Sequence, residues 1–287
     1  MNFRKLPWFD YSGRFSPLKA SVFLALFIPG IWTAVSFQLD RLGARPLTEA
    51  IHQFGDWTIR LIFISLTITP ARIVLQWPRL LEVRRMVGVA ACVYVLTHLS
   101  LYTADEAFAF GTVASEIVLR IYLTIGFTAL TGLCVLAVTS TDGWQRRLGG
   151  RRWQSLHRIL YGIGLLAVIH FCMQSKLDEW QPTIMAGIFF WLMGCRVVSW
   201  RLGRGKLPLW SVAGLSLAAG LLTALGEAVY FWIAMGAPIG LVLQANLSLE
   251  TGLRPAWVVL ASTATIALIG WARATFWPAK ARRLRPA

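Results

Sequence analysis

Long apolar blocks alternate with short polar connections along the whole chain. A helix of about 20 apolar residues crosses a hydrocarbon core ~30 Å thick. The pattern therefore predicts an all-α polytopic membrane protein with roughly eight spans. The predicted spans cover residues 20–38, 57–75, 86–104, 118–138, 156–173, 182–200, 208–235 and 255–277. The first block lacks a convincing signal-peptidase site and is expected to be retained.

Basic residues in the connections indicate how the chain is oriented, because cytoplasmic loops are enriched in Lys and Arg. One side of the predicted membrane carries eighteen of them: Arg4, Lys5, Arg14, Lys19, Arg79, Arg84, Arg85, Arg146, Arg147, Arg151, Arg152, Arg201, Arg204, Lys206, Lys280, Arg282, Arg283 and Arg285. The other side carries four: Arg41, Arg45, Lys176 and Arg254. We therefore expect a multi-pass membrane protein with both termini on the cytoplasmic side.

Composition agrees with this interpretation. Of the 287 residues, 56% are hydrophobic and only 14% are charged, against about 25% charged in soluble domains. The net charge of +15 does not indicate nucleic-acid binding, since the basic residues cluster where a membrane topology requires them. The four cysteines lie in apolar blocks without a C-x-x-C pair, so we interpret them as small buried residues.

A short basic break at residues 203–208 separates two predicted domains. We predict a six-span helical core over residues 1–206 and a two-span C-terminal extension over residues 207–287. No internal repeat is evident. The core contains every histidine of the chain.

Two histidines are predicted to reach a similar depth on different helices. His98 lies 13 residues beyond Arg85 in the third span, and His170 lies 13 residues beyond His157 in the fifth. Both would therefore lie ~20 Å above the cytoplasmic edge. Two facing imidazoles can ligate one haem iron from both sides. The alternative is two unrelated histidines that form hydrogen bonds across helices.

His157 is expected to have a different role from that of His98 and His170. Its offset from His170 leaves the two side chains about 140° apart around a straight helix. The corresponding place on the third span holds Arg84, which cannot ligate iron. The residues thus predict one bis-histidine site and one unpaired histidine near the cytoplasm, while His52 is expected in a solvated outer loop.

Two groups of basic residues could bind anionic parts of a cofactor. On the cytoplasmic side, a flavin phosphate could bind near His157, although membrane topology and anionic lipid are the commoner explanation; these residues are Arg84, Arg85, Arg151 and Arg152. On the outer side, haem propionates could bind where spans begin or end, unless the side chains only snorkel; these residues are Arg60, Arg120 and Lys176.

Glu227 is the only carboxylate deep within a predicted span. It could handle protons, pair with an arginine, or simply reach the outer interface. No G-x-G-x-x-G motif opens a βαβ unit. If the chain moves electrons, they must therefore come from a separate donor.

An ordered series of short motifs runs through roughly residues 20–200. It comprises Thr69-Pro70-Ala71-Arg72, Arg84-Arg85 with Gly88, Tyr94 to His98, Tyr122-Leu123-Thr124 with Gly126, Thr139-Ser140, Leu148-Gly149, Trp153, Leu156-His157, Tyr161, His170 and Lys176. In order and spacing the series resembles the MsrQ (YedZ) family, within the ferric-reductase-like transmembrane proteins. Members of that family are haem-binding membrane subunits of bacterial protein-methionine-sulfoxide reductases.

The resemblance implies one or two b-type haems, held by histidines at the positions of His98, His157 and His170. It also implies a periplasmic molybdopterin partner, MsrP, that reduces methionine sulfoxide in oxidised periplasmic proteins. Electrons would come from a cytoplasmic flavin reductase or from the quinone pool, and FMN bound at the cytoplasmic side fits such a family. The extension from about residue 207 departs from the six-span pattern and leaves donor and partner open.

The predicted function is therefore a membrane electron-transfer subunit that is catalytic only with its partner. A stand-alone metalloreductase or a quinol-linked cytochrome b is the alternative within the same class. A proton-coupled transporter or channel is the alternative from another class, which the small number of intramembrane charges disfavours.

Overall fold

The computed structural model describes residues 6–9, 12–175, 179–203, 205–248 and 252–277. Within these ranges the chain is α-helical, apart from a 3₁₀ turn at Pro78–Leu80 and an isolated bridge between Phe9 and Phe15. The helices are α1 (Pro17–Ala25), α2 (Ile28–Gln38), α3 (Pro46–Val74), α4 (Leu81–Asp105), α5 (Phe110–Leu119), α6 (Ile121–Val138), α7 (Asp142–Leu156), α8 (Ile159–Gln174), α9 (Trp180–Arg201), α10 (Leu209–Met235), α11 (Ile239–Leu247) and α12 (Pro255–Phe276). The predicted all-α membrane fold is confirmed.

Seven helical segments of the described chain are long and apolar enough to cross a bilayer. They are Pro17–Gln38, Pro46–Val74, Pro78–Asp105, Ile121–Val138, Trp180–Arg201, Leu209–Met235 and Pro255–Phe276. An eighth results if α7 and α8, which meet at 46°, are counted as one bent span. The fifth predicted span is therefore α8, preceded by a polar helix rather than by a loop.

The second span begins 11 residues earlier than its apolar block. α3 starts at Pro46, whereas the block starts at residue 57. The first turns of α3 carry polar side chains that have partners within the first span and α3. Thr33 donates to Gln53 Oε1 at 2.9 Å, and Gln53 Nε2 donates to Glu49 Oε1 at 3.2 Å. Hydropathy underestimates such a helix because it does not register these hydrogen bonds.

The first span is broken between α1 and α2, just before Pro29. Tyr94 of α4 bridges the break, because its hydroxyl donates to Leu26 O at 2.7 Å and accepts from the Gly30 N–H at 3.0 Å. These two main-chain groups are four residues apart and would pair with each other in an unbroken helix. Tyr94 therefore replaces one helical hydrogen bond and ties the first span to α4.

The chain divides into two compact units, of which the first comprises Met1–Leu66 and Leu81–Leu177. In this unit α6 packs against both α4 and α8, and α5 packs on α6. The close approach of α6 and α8 depends on Gly132, where a Cβ would lie 2.9 Å from the side chain of Ile163. All described histidines belong to this unit.

The second unit comprises Thr67–Leu80 and Asp178–Ala287. Its helices α9, α10 and α12 pack against one another, and Trp191 of α9 donates from Nε1 to Ser216 of α10 at 3.2 Å. The sixth predicted span, α9, therefore groups with the two-span extension. The division predicted at residue 206, which concerns domains rather than helix packing, stays a prediction.

Glu227 of α10 is buried and has two partners in the second unit. Arg254 approaches its carboxylate at 2.6 Å, and Asn246 Nδ2 donates to it at 2.9 Å. Trp257 Nε1 donates to the main-chain oxygen of Asn246 at 2.7 Å. These bonds join α11, which the sequence did not predict, to α10 and α12. Of the roles considered for Glu227, pairing with an arginine is the one observed.

Candidate haem site

His98 projects from α4 toward the main chain of α3. Its Nδ1 lies 2.8 Å from Ile51 O. A carbonyl oxygen only accepts, so Nδ1 carries the proton and Nε2 keeps its lone pair. Within the described ranges Nε2 of His98 has no hydrogen-bond partner. Gly55 provides the space for the ring, since a Cβ there would lie 3.2 Å from both Nδ1 and Cε1.

His170 of α8 is held in the same way by α6. Its Nδ1 lies 2.8 Å from Tyr122 O, and a Cβ on Gly126 would lie 2.8 Å from Nδ1 and from Cε1. The Tyr122 ring stacks near the imidazole, with centroids 6.4 Å apart. As for His98, the neutral imidazole must carry its proton on Nδ1, which leaves the lone pair on Nε2.

The structure brings His98 and His170 together, since the two imidazoles lie within electrostatic range of each other. His98, late in α4, meets the first turns of α3, and His170, late in α8, meets the first turn of α6. Each histidine helix therefore runs antiparallel to the helix that holds its ring. Two neutral imidazoles with free Nε2 atoms are what a low-spin haem iron requires. The residues present therefore fit a haem at this place.

His157 has a different environment at the break between α7 and α8. Its Nδ1 lies 3.0 Å from Trp153 O, its Nε2 lies 3.3 Å from Ser140 Oγ, and its ring stacks on Trp153 at 3.9 Å. Both ring nitrogens thus have partners, unlike those of His98 and His170. The Ser140 hydroxyl also points to Leu136 O at 2.7 Å. It must turn away from that oxygen before it can donate to a neutral His157.

The four arginines predicted on the cytoplasmic side are only partly gathered around His157. Arg84 is half-buried and lies within electrostatic range of His157. Arg85 forms an ion pair with Asp142 and donates to Ser140 O at 3.2 Å. The other two are exposed on α7 and complete the predicted set: Arg151 and Arg152. Binding of a flavin phosphate or of anionic lipid there stays a prediction.

The three basic residues predicted on the outer side have different positions. Arg120 immediately precedes α6 and donates to Tyr122 Oη at 3.3 Å and to Glu116 at 2.6 Å. The hydrogen bond to Tyr122, with the ion pair to Glu116, raises the pKa of Arg120 above its ordinary value. Lys176 lies outside the described residues.

The sequence predicted Arg60 at the start of a span, but the structure places it well inside α3. It follows Pro46, the first residue of α3, by 14 residues, and it is about 13 Å along the helix axis from Ile51. There it forms an ion pair with Asp56 at 3.4 Å and lies 5.1 Å from the Trp57 ring. The early start of α3 is the reason, and it also places the carboxylates of Glu49 and Asp56 within a span.

Sequence reasoning missed the groups that hold the imidazoles. A main-chain carbonyl that accepts a hydrogen bond cannot be recognised from the sequence, but a glycine can. Gly55 precedes His98 by 43 residues, and Gly126 precedes His170 by 44. His52 was also placed wrongly, since it is exposed on α3 rather than in a loop.

Comparisons with known proteins identify the family. The family described as "Ferric reductase like transmembrane component" matches residues 54–168. A protein of Rhodospirillum rubrum named "Protein-methionine-sulfoxide reductase heme-binding subunit MsrQ" is 41% identical over 181 residues, which cover 63% of this chain and 87% of that protein. The chain belongs to the MsrQ family.

Two further MsrQ proteins carry the same name. The one from Xanthomonas campestris pv. campestris (strain 8004) is 46% identical over 167 residues, covering 58% of this chain and 76% of the relative. The one from Caulobacter vibrioides is 38% identical over 186 residues, covering 64% of this chain and 86% of the relative. No solved structure matches the chain. MsrQ membership therefore rests on sequence similarity.

Proposed function

We propose that the chain is the haem-binding electron-transfer subunit of a protein-methionine-sulfoxide reductase system. The single observation that carries this proposal is that His98 and His170 are held by the same kind of hydrogen bond. Each donates its Nδ1–H to a main-chain carbonyl at 2.8 Å, which leaves the lone pair of Nε2 available to ligate iron. The MsrQ relatives, whose name describes a heme-binding subunit, support the same cofactor.

In this proposal His98 and His170 would together hold one haem b through their Nε2 atoms. A haem bound there would supply a reversible one-electron carrier inside the membrane. The carbonyls of Ile51 and Tyr122 fix the tautomer of each ligand and increase its basicity. Arg120 contributes positive charge near the outer end of α6, and Arg60 contributes charge deeper in the bundle, where Asp56 partly neutralises it.

Electron flow is proposed to run from the cytoplasmic to the periplasmic side. The basic residues favour cytoplasmic termini in a bacterial inner membrane, so His98 and His170 lie in the outer half. From there electrons would pass to a periplasmic molybdopterin reductase of the MsrP kind, which repairs oxidised periplasmic proteins. The donor would be a cytoplasmic flavin reductase or the quinone pool.

His157 is proposed to act at the electron-entry side. It lies 13 residues from His170, which is ~20 Å along a helix and too far to serve the same iron. Its neighbour Arg84 is positively charged, so an anionic group such as a flavin phosphate or a second haem's propionate would be favourable there. Ser140 and Trp153 hold the ring in place.

The proposal is tested by the reduced-minus-oxidised visible spectrum of the purified chain, with wild type, His98→Ala and His170→Ala compared. The wild type should show a low-spin b-type spectrum, and each variant should lose it. A wild type without haem, after expression under haem-sufficient conditions, would contradict the proposal. That result would favour the transporter alternative.

A further inference from the structure

Two glycines, Gly55 and Gly126, contact the two imidazoles at equivalent places. We infer that they are positioning residues, whose missing side chains let each imidazole rest against a neighbouring helix with Nε2 directed to the shared iron. The inference rests on the proposed ligation by His98 and His170. It goes further because it names which non-ligand positions set the geometry of those ligands.

The contact is tightest on α6. A Cβ on Gly126 would lie 2.8 Å from Nδ1 and Cε1 of His170 and 3.2 Å from its Cγ. The ring itself is held by the 2.8 Å hydrogen bond to Tyr122 O. A methyl group at residue 126 therefore cannot coexist with the ring in this position, and the ring or the helix must move.

The contact on α3 is similar but looser. A Cβ on Gly55 would lie 3.2 Å from Nδ1 and Cε1 of His98, and the ring is bound to Ile51 O at 2.8 Å. A shift of a few tenths of an ångström would relieve this contact. Substitution at Gly55 should therefore have a smaller effect than substitution at Gly126.

The position of each glycine relative to the accepting carbonyl explains why it must lack a side chain. Ile51 and Tyr122 precede Gly55 and Gly126 by four residues. In an α-helix the N–H of the later residue bonds to the carbonyl of the earlier one. The imidazole therefore approaches a carbonyl that also serves its own helix, which is acceptable because the oxygen has two lone pairs. A Cβ beside it would block that approach.

Other glycines of α6 and α8 do not share this role. A Cβ on Gly162, which lies on α8 two turns before His170, would meet nothing within 4 Å. A Cβ on Gly132 of α6 would meet only Ile163. Gly162→Ala is therefore a matched control for the cost of placing alanine in this part of the unit.

The experiment compares wild type, Gly126→Ala, Gly55→Ala and Gly162→Ala as purified full-length proteins. Haem affinity is measured by titration, and the electron paramagnetic resonance spectrum of the ferric protein reports the orientation of the axial imidazoles. Gly126→Ala should lose haem affinity about 10- to 100-fold, the range typical for loss of an outer-shell partner of a metal ligand. It should also shift the largest g value and raise the midpoint potential, because a weakened Nδ1–H···O bond makes the imidazole a poorer donor. Gly55→Ala should shift less, and Gly162→Ala should match wild type.

A second arm applies if Gly126→Ala does not accumulate in the membrane. The double variant Gly126→Ala/His170→Ala should then accumulate as His170→Ala does, because the ring that the methyl group displaces is gone. A double variant that still fails to accumulate, or a Gly126→Ala protein with wild-type affinity and g values, would overturn the positioning role. A wild type without low-spin haem would instead overturn the proposed function.

Discussion

The guanidinium of Arg254 lies 2.6 Å from the carboxylate of Glu227, which is only 3% exposed. Removing one partner of a buried ion pair costs about 3–5 kcal/mol, because the other charge is left uncompensated. We therefore expect Glu227→Ala to lower the unfolding temperature of the detergent-solubilised protein substantially. Thermal unfolding followed by size-exclusion chromatography would measure it.

The control for this prediction removes both charges. Glu227→Met/Arg254→Met replaces the pair by apolar side chains of similar length, which is often neutral for stability. The double variant should therefore be more stable than Glu227→Ala. If Glu227→Ala unfolds at the wild-type temperature, the pair does not hold α10 to the start of α12.

Tyr94→Phe should destabilise the first unit. The variant leaves Leu26 O and Gly30 N–H without the hydroxyl that bridges them, at a cost of about 1–3 kcal/mol for each group that stays unsatisfied. Denaturant titration of the solubilised protein would measure the loss. Thr131→Val removes an exposed hydroxyl that bonds only within its own helix, so it should change stability little. Equal effects of the two variants would contradict the bridging role.

His157→Ala should separate electron entry from haem ligation. The variant should keep the low-spin spectrum, because His157 lies ~20 Å from the level of His170, but reduction by the cytoplasmic donor should slow. Stopped-flow reduction with haem quantification measures both properties. A His98→Ala protein with a normal bis-histidine spectrum, beside a His157→Ala protein without haem, would require a different pairing of ligands.

Arg120→Gln should lower the midpoint potential of the bound haem. The guanidinium lies beside Tyr122, whose carbonyl holds His170, and a positive charge there favours the reduced iron. Because Arg120 is exposed, the difference from wild type should shrink as ionic strength rises. Arg147→Gln, on exposed α7, is the control in a redox titration. An unchanged potential at low salt would remove Arg120 from the site. The same titration of Arg60→Gln tests whether the charge within α3 also affects the haem.

Reporter fusions should confirm the orientation. Fusions at Asp105 and Asp178 should report as periplasmic, and fusions after Arg147 and Arg204 as cytoplasmic, because of the asymmetry of basic residues between the two sides. Residues 178 and 204 themselves lie outside the described residues. A cytoplasmic signal at Asp105 or Asp178 would reverse the proposed direction of electron flow.

The sequence predicted a span well where the apolar block and the helix have the same bounds. α9, α10 and α12 begin and end within two residues of the predicted spans. It failed where polar residues are helical, as in the first turns of α3, and where an apolar stretch is too short to span, as in α11. Hydropathy measures compatibility with lipid, whereas helix formation also depends on hydrogen bonds such as that between Thr33 and Gln53.

The sequence pointed to the two candidate ligands but gave no sign of the groups that hold their rings. Counting residues along helices placed His98 and His170 at one depth, and the two rings lie within electrostatic range of each other. The Nδ1 partners are main-chain atoms, which every residue possesses, so composition and spacing give no sign of them. Arg60 was misplaced for a simpler reason, since its depth depended on where α3 begins.

Holding both imidazoles by main-chain carbonyls has an evolutionary consequence. No side-chain substitution at residues 51 or 122, other than one that breaks the helix, can delete the oxygen that accepts from His98 or His170. The side chains at these two positions can therefore drift without changing the tautomer of either histidine. Selection on this part of the site then falls on few positions, and neighbouring residues on α3 and α6 can adapt to a new lipid composition or a new redox partner.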